Sequence, residues 1–197
     1  MTATGACVVN VRYGIRSLVC RSPIGGVNVY MPKDLNAEKN PLEHQPAPVS
    51  GIPTQEIYTL FGTAVASAHG TRTLTGVQAQ GMTACPCAQQ LVAGAARERL
   101  SGDGFTDEEI ARIFDHVPVA THNQRGLGTL YVGCPEGCDT SIEAARLLAI
   151  VEESMSSEVY ELMKRPDEAE VVEKAHRRPR FVEDCVREAI RMAVDEY

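Results

Sequence analysis

Two short polar signatures carry the residues best suited to chemistry. They are Gly81-Met82-Thr83-Ala84-Cys85-Pro86-Cys87-Ala88-Gln89 and Thr121-His122-Asn123-Gln124-Arg125-Gly126, followed further on by Lys164-Arg165-Pro166-Asp167-Glu168. Together they offer a thiolate, an imidazole and a carboxylate. These donors suit one Zn²⁺ or Fe²⁺ ion with a coordination position left for water, which separates a catalytic from a structural metal site. The chemistry they point to is metal-assisted hydrolysis. Spacing alone leaves a second reading open. Cys-X-Cys is a poor chelate, and no ligand spacing matches a zinc finger or a His-Glu-X-X-His helix. Cys85 and Cys87 then become small buried thiols in a turn.

The elements around these signatures must position them. Glu56 to Ser67 and Thr71 to Gln80 alternate around a turn at His69-Gly70 and read as a hairpin. Its second strand runs on into Cys85, where Pro86 stops the ladder, so both thiols are expected at a strand end. Gln89 to Leu100 is Ala-rich and helical. Thr106 with Glu109 forms a capping box that opens a helix to Asp115 or His116. Pro118 breaks the chain before His122, which leads into a strand from Gly126 to Val132. Thr140 is expected to cap a helix from Ser141 to Met155, with a short helix over 156–163. Pro166 places Glu168 at a helix start, and 180–197 forms the last helix with Glu183 in its first turn. Both acids then sit where the helix dipole favours negative charge. Residues 1–33 hold strand-like runs at Cys7–Val11 and Val27–Met31, and the Pro-rich stretch 32–53 reads as a linker.

Composition sets the class. The chain has 197 residues, 44% of them hydrophobic, enough to fill the core of one domain or two small ones. A net charge of −7 argues against nucleic acid as a partner. No apolar run reaches the roughly 18 residues of a membrane helix, and no signal peptide is evident; a cytoplasmic location is expected. Seven scattered Cys do not form a disulfide framework, so reduced thiols are expected. Cys134-Pro135-Glu136-Gly137-Cys138 reads as a turn, with a four-thiolate zinc knot shared with Cys85 and Cys87 as the rival. The most basic stretch runs from Lys164 and Arg165 through Lys174, Arg177, Arg178 and Arg180. With Arg125 it offers an anion contact, or else an ordinary solvated surface with pairs such as Glu170–Lys174.

The blocks Pro48-Val49-Ser50-Gly51 with Gln55, GMTACPCAQ, THNQRG, KRPDE at 164–168 and Arg180-Phe181-Val182-Glu183-Asp184 occur in the order found in one family. Over residues 47–197 the chain resembles the type IB GTP cyclohydrolases, in their archaeal branch. The resemblance implies an α+β tunnelling fold (T-fold), an antiparallel sheet with helices packed on one face. It implies a homo-oligomer, dimer or tetramer, with interfacial active sites. It implies GTP as substrate and Fe²⁺ as metal, with Zn²⁺ or Mn²⁺ as substitutes. By position, Cys85, His122 and Glu168 match metal ligands, Cys87 matches a neighbouring thiol, and Glu183 matches the carboxylate that anchors guanine. Lys164, Arg165 and Arg125 are the further substrate contacts expected, and Cys85, Cys87 and His122 the catalytic groups. The implied reaction opens the guanine ring at C8, releases formate and yields 7,8-dihydroneopterin 2′,3′-cyclic phosphate for methanopterin synthesis.

Three other readings stand beside it. One is the dihydroneopterin triphosphate product of folate synthesis. Another is an inactive metal-binding or oligomer-forming fragment. The last is a related tunnelling-fold enzyme of pterin or queuosine synthesis. Residues 1–46 match no block and are left as an unassigned segment, with 47–197 as the T-fold domain. The family pattern continues past the position of Tyr197 into a Glu-Ser-Ile-His segment bearing a further Glu and His, so a piece of a longer enzyme is expected.

Overall fold

The computed structural model describes residues 8–14, 27–32, 47–52, 57–67, 70–135, 138 and 140–197. Strands β1 (Val8–Gly14), β2 (Val27–Pro32), β3 (Ile57–Ser67), β4 (Gly70–Ala84) and β5 (Asn123–Pro135) form an antiparallel sheet in the order β1-β5-β4-β3-β2. β3 pairs with β4 from Ser67↔Gly70 to Thr59↔Gln78. Beyond that point a two-residue strand, β6 (Ser157–Glu158), takes its place against Gly81 and Met82. β1 and β2 come from the segment that matched no family block, and they extend the same sheet through β5 and β3.

Five helices accompany the sheet: α1 (Pro86–Gly102), α2 (Asp107–His116), α3 (Ala144–Glu153), α4 (Arg165–Arg177) and α5 (Val182–Glu196). Alternation along β4 and β5 sends Val77, Ala79, Leu130 and Val132 to one face, where they meet Leu147, Ile150 and Val151 of α3 and Cys185, Ala189 and Ala193 of α5. Opposite that core, Gln78 Nε2 donates to Thr129 Oγ1 at 2.8 Å and the Phe61 and Tyr131 rings lie 5.4 Å apart. The α+β class and the antiparallel sheet are therefore as expected.

Gly81 lies in a crowded stretch of the sheet. A Cβ there would run into the sulfur of Met155, itself fully buried. Gly81→Ala will therefore overpack the core and lower stability by about 1–3 kcal/mol. The measurement is urea unfolding, with a lower midpoint at unchanged slope.

Several local expectations need correction. β5 is longer than expected at both ends because it pairs with β4 along its whole length. α3 starts at Ala144 with Glu143 as a cap that makes no side-chain bond, so Thr140 does not cap it. The expected helix over 156–163 is absent. Ser156 N–H donates to Met82 O at 2.9 Å and Ser156 Oγ accepts Ala84 N–H at 3.2 Å, which draws this segment against β4 as β6. The turn residue His69 lies outside the described residues, as do Cys7 and Cys20.

Candidate active site

β4 and β5 deliver both signatures to one end of the sheet. Their register closes on Thr83↔Gln124 and Ala84↔Asn123, and Cys85 N–H prolongs it by donating to His122 O at 3.5 Å. Residues opposed in this way carry their Cβ atoms about 4.5–5.5 Å apart. Cys85 is also the N-cap of α1, its Sγ accepting Ala88 N–H at 3.4 Å at a helix end that favours negative charge. Pro86 is the first helical residue, for which its φ is preset. Cys87 therefore stands exposed in the first turn of α1 rather than at a strand end.

Other elements converge on the same point. Arg180 N–H donates to Ala84 O at 3.1 Å, setting the N-terminus of α5 beside Cys85. Glu183, in the first turn of α5, is exposed there. On β5, Gln124 Nε2 lies 3.2 Å from His122 Nδ1, and Arg125 is exposed opposite Met82. As placed, Gln124 Nε2–H donates to His122 Nδ1; a metal-bound His normally hands its other ring N–H to an acceptor, which Gln124 provides once its amide turns Oε1 towards that nitrogen. Gln124→Ala is expected to weaken Co²⁺ binding roughly 10–100-fold in a spectroscopic titration.

The KRPDE block occupies another place. Lys164, Arg165 and Glu168 are exposed at the N-terminus of α4. The end of α4 that approaches the site carries His176, eight residues or about 12 Å further along the helix. Among the described residues no three His, Cys, Asp or Glu side chains are grouped to hold an ion. Cys85 and His122 carry donor types that suit a borderline-soft divalent cation, and Glu168 of the same chain is not grouped with them.

The residue of KRPDE with the most partners is Asp167, fully buried. Its carboxylate accepts Val49 N–H at 2.9 Å, Ser50 N–H at 2.7 Å, Ser50 Oγ–H at 2.6 Å and Lys164 N–H at 2.9 Å. Burial alone would raise its pKa. The bonds from the Ser50 hydroxyl and amide and from Lys164 and Val49 outweigh that and hold it well below the usual carboxylate range. The family blocks PVSG and KRPDE are thereby one structural unit, closed by a turn whose Gly51 has φ +67°.

Most of the basic stretch is already engaged. Lys174 pairs with Glu158 at 2.6 Å rather than with Glu170. Burial opposes ionisation of Glu158, but bonds from Lys174 and Tyr160 overcome it and lower its pKa. Arg177 pairs with Glu173, Arg178 donates to Met155 O, and Arg180 donates to Glu153 O and Ser154 O at the end of α3. Arg178 and Arg180 therefore cap a helix C-terminus.

The thiols also depart from expectation. Cys134 and Cys138 form a disulfide, so the default of reduced cysteines fails for this pair. It lies at the Thr73 end of β4, about 12 residues or 40 Å of strand from Cys85, which rules out the four-thiolate knot. Cys185 is fully buried and burial pushes its thiol up to about 11. At pH 8 its thiolate fraction is on the order of 10⁻³. Iodoacetamide on the native chain should modify exposed Cys87 and leave Cys185 intact, as peptide mass mapping would show.

Sequence reading missed Asp167, Gln89 and His176. The first lies inside KRPDE, beside the exposed carboxylate of Glu168 that the motif offers as a ligand. His176 gave no signal beyond being a lone His in a helix.

Residues 34–197 match the family described as GCHY-1, type I GTP cyclohydrolase folE2. The GTP cyclohydrolase MptA of Methanococcus aeolicus is 44% identical over 160 residues, covering 77% of this chain and 50% of its own length. That of Methanocaldococcus jannaschii is 41% identical over 155 residues, covering 77% and 49%. GTP cyclohydrolase MptA 1 of Methanocella arvoryzae is 44% identical over 142 residues, covering 72% and 44%. The chain spans about half the length of the curated relatives it matches.

Proposed function

Starting from the fact that this chain belongs to the type I GTP cyclohydrolase family, we propose that it provides the catalytic edge of a GTP cyclohydrolase of T-fold architecture. The observation that carries the reading is the convergence of Cys85, His122 and the N-terminus of α5 at the end of the β4–β5 ladder. Cys85 and His122 hold Fe²⁺, with Zn²⁺ or Mn²⁺ able to replace it. Glu168 of a second copy completes the set in a homo-oligomer, which encloses the half-buried Cys85 and the exposed His122. When bound, the ion supplies Lewis acidity and a water of lowered pKa for attack at C8 of guanine.

The chain's own side chains divide the remaining work. Glu183 faces guanine N1–H and N2–H₂, a two-point contact that adenine cannot return. Arg125, Lys164 and Arg165 are exposed cations free to meet the phosphates. A residue that holds metal is not also a free base, so proton transfer falls to Cys87 in the first turn of α1. The product is 7,8-dihydroneopterin 2′,3′-cyclic phosphate with release of formate, made in the cytoplasm for methanopterin synthesis. No helix among the described residues is long and apolar enough to cross a membrane.

The test is anaerobic incubation of the purified chain with Fe²⁺ and GTP, following formate and pterin fluorescence after oxidation. Turnover with GTP and none with ATP is expected. Metal bound by Cys85 without formate release would sink the catalytic reading and leave a binding fragment.

A further inference from the structure

We propose that His176 is the positioning residue of this site: by tying Thr121 to α4, it holds His122 opposite Cys85. The inference deepens the proposed function and rests on its reading of Cys85 and His122 as a metal-binding pair.

His176 is 2% exposed. Its Nδ1 lies 2.7 Å from Val172 O, one turn back on α4, and its Nε2 lies 3.1 Å from Thr121 O; both oxygens only accept, so the tie to Thr121 is made by a hydrogen on Nε2. Its own carbonyl accepts Gln89 Nε2–H at 2.6 Å, and the same amide group donates to Val119 O at 3.1 Å. Gln89 is one turn beyond Cys85 in α1, with its N–H on Cys85 O at 3.2 Å. The irregular segment that enters β5 is therefore gripped at two carbonyls, Val119 from α1 and Thr121 from α4.

Directional bonds matter here because packing does little. α1 fully buries no residue over its 17 positions, and apart from Arg97 over the Phe114 ring of α2 little packing fixes its orientation. The Thr121 carbonyl belongs to the same peptide plane as the His122 N–H. Displacing it turns the backbone that presents the imidazole, and the Cys85–His122 bond is lost with it.

Two substitutions separate positioning from mere structure. The glutamine amide nitrogen falls where histidine has Nε2, and that of asparagine falls where it has Nδ1. His176→Gln therefore keeps a donor for Thr121 O, and His176→Asn keeps only the one for Val172 O. The first readout is amide hydrogen exchange of Cys85 in the metal-free chain, because that amide bonds to His122 O. His176→Asn should raise it roughly 10-fold or more relative to Val77 and Leu130 in mid-ladder, with His176→Gln close to the parent chain. The second readout is Co²⁺ affinity from thiolate charge-transfer absorbance, weakened roughly 10–100-fold in His176→Asn and restored in His176→Gln.

Parent-like behaviour in both variants would overturn the proposal, and so would equal losses in both that follow their Tm. A parent chain with no thiolate–Co²⁺ band, or a band surviving in Cys85→Ser, would remove the metal reading instead. The exchange data alone would then uphold or overturn the positioning role.

Discussion

Replacing Cys85 by alanine is expected to abolish formate release from GTP and erase the thiolate absorbance of the Co²⁺-loaded chain. The loss should exceed the roughly 100-fold that follows removal of an outer-shell partner, because a donor atom itself disappears. The fold will tolerate the change. Cys85 contributes to α1 as an N-cap, and exchanging a capping side chain for alanine costs about 0.5–2 kcal/mol. Circular dichroism of the variant should therefore match the parent while activity vanishes. Cys87→Ser makes the contrast, since Cys87 is exposed in the first turn of α1 and its serine variant should still give the Co²⁺ charge-transfer band. Turnover within tenfold of the parent in Cys85→Ala would mean that its sulfur is not a ligand.

Asp167→Asn should give the largest loss of stability among single changes at the motif blocks. The carboxylate is the common acceptor for three backbone amides and one hydroxyl, all converging on a fully buried side chain. A carboxamide turns an N–H₂ towards donors that need an acceptor, leaving buried groups unpaired. A fall in Tm on the order of 10 °C is expected for a chain of this size. The same group predicts a pH dependence. Its pKa is lower folded than unfolded, so the folded state binds fewer protons and stability falls as the solution becomes more acid. The contribution is complete above the ordinary value of 3.8 and is lost as pH falls below it towards the depressed folded value. The parent should lose stability between about pH 4 and pH 2, and Asp167→Asn should lack that component. Equal acid sensitivity in the two proteins would show that Asp167 is not its source.

The readable parts of the fold were those written in local pattern. Alternation from Thr71 to Gln80, running on into Cys85, found β4, and Thr106 with Glu109 found α2, its box closed by bonds of 2.9 and 3.3 Å. Cys85 and His122 could each be placed at a strand end, but their facing depends on the β4–β5 register, which is fixed by pairing across 38 intervening residues. The segment after α3 misled for a similar reason. Its composition suits a helix, yet Ser156 finds its partners on the distant β4 backbone, and those bonds outweigh propensity. Asp167, Gln89 and His176 make contacts spanning 30 to 118 positions. The disulfide eluded reading because two thiols four residues apart join only when the backbone folds back between them.

The unbroken 15-residue run of β4 has a consequence for how such a chain can vary. Side chains alternate along it with a period of two, so inserting or deleting one residue would exchange its faces. Val77 and Ala79 would leave the core, the space Met155 needs at Gly81 would shift, and Cys85 would slide past His122 in the same stroke. The strand acts as a ruler between the disulfide end and the reactive end. Changes of length are tolerable only outside it, whereas on the face away from the core residue identity can change without disturbing the register, except at Gly76, where a Cβ would meet the Tyr131 ring.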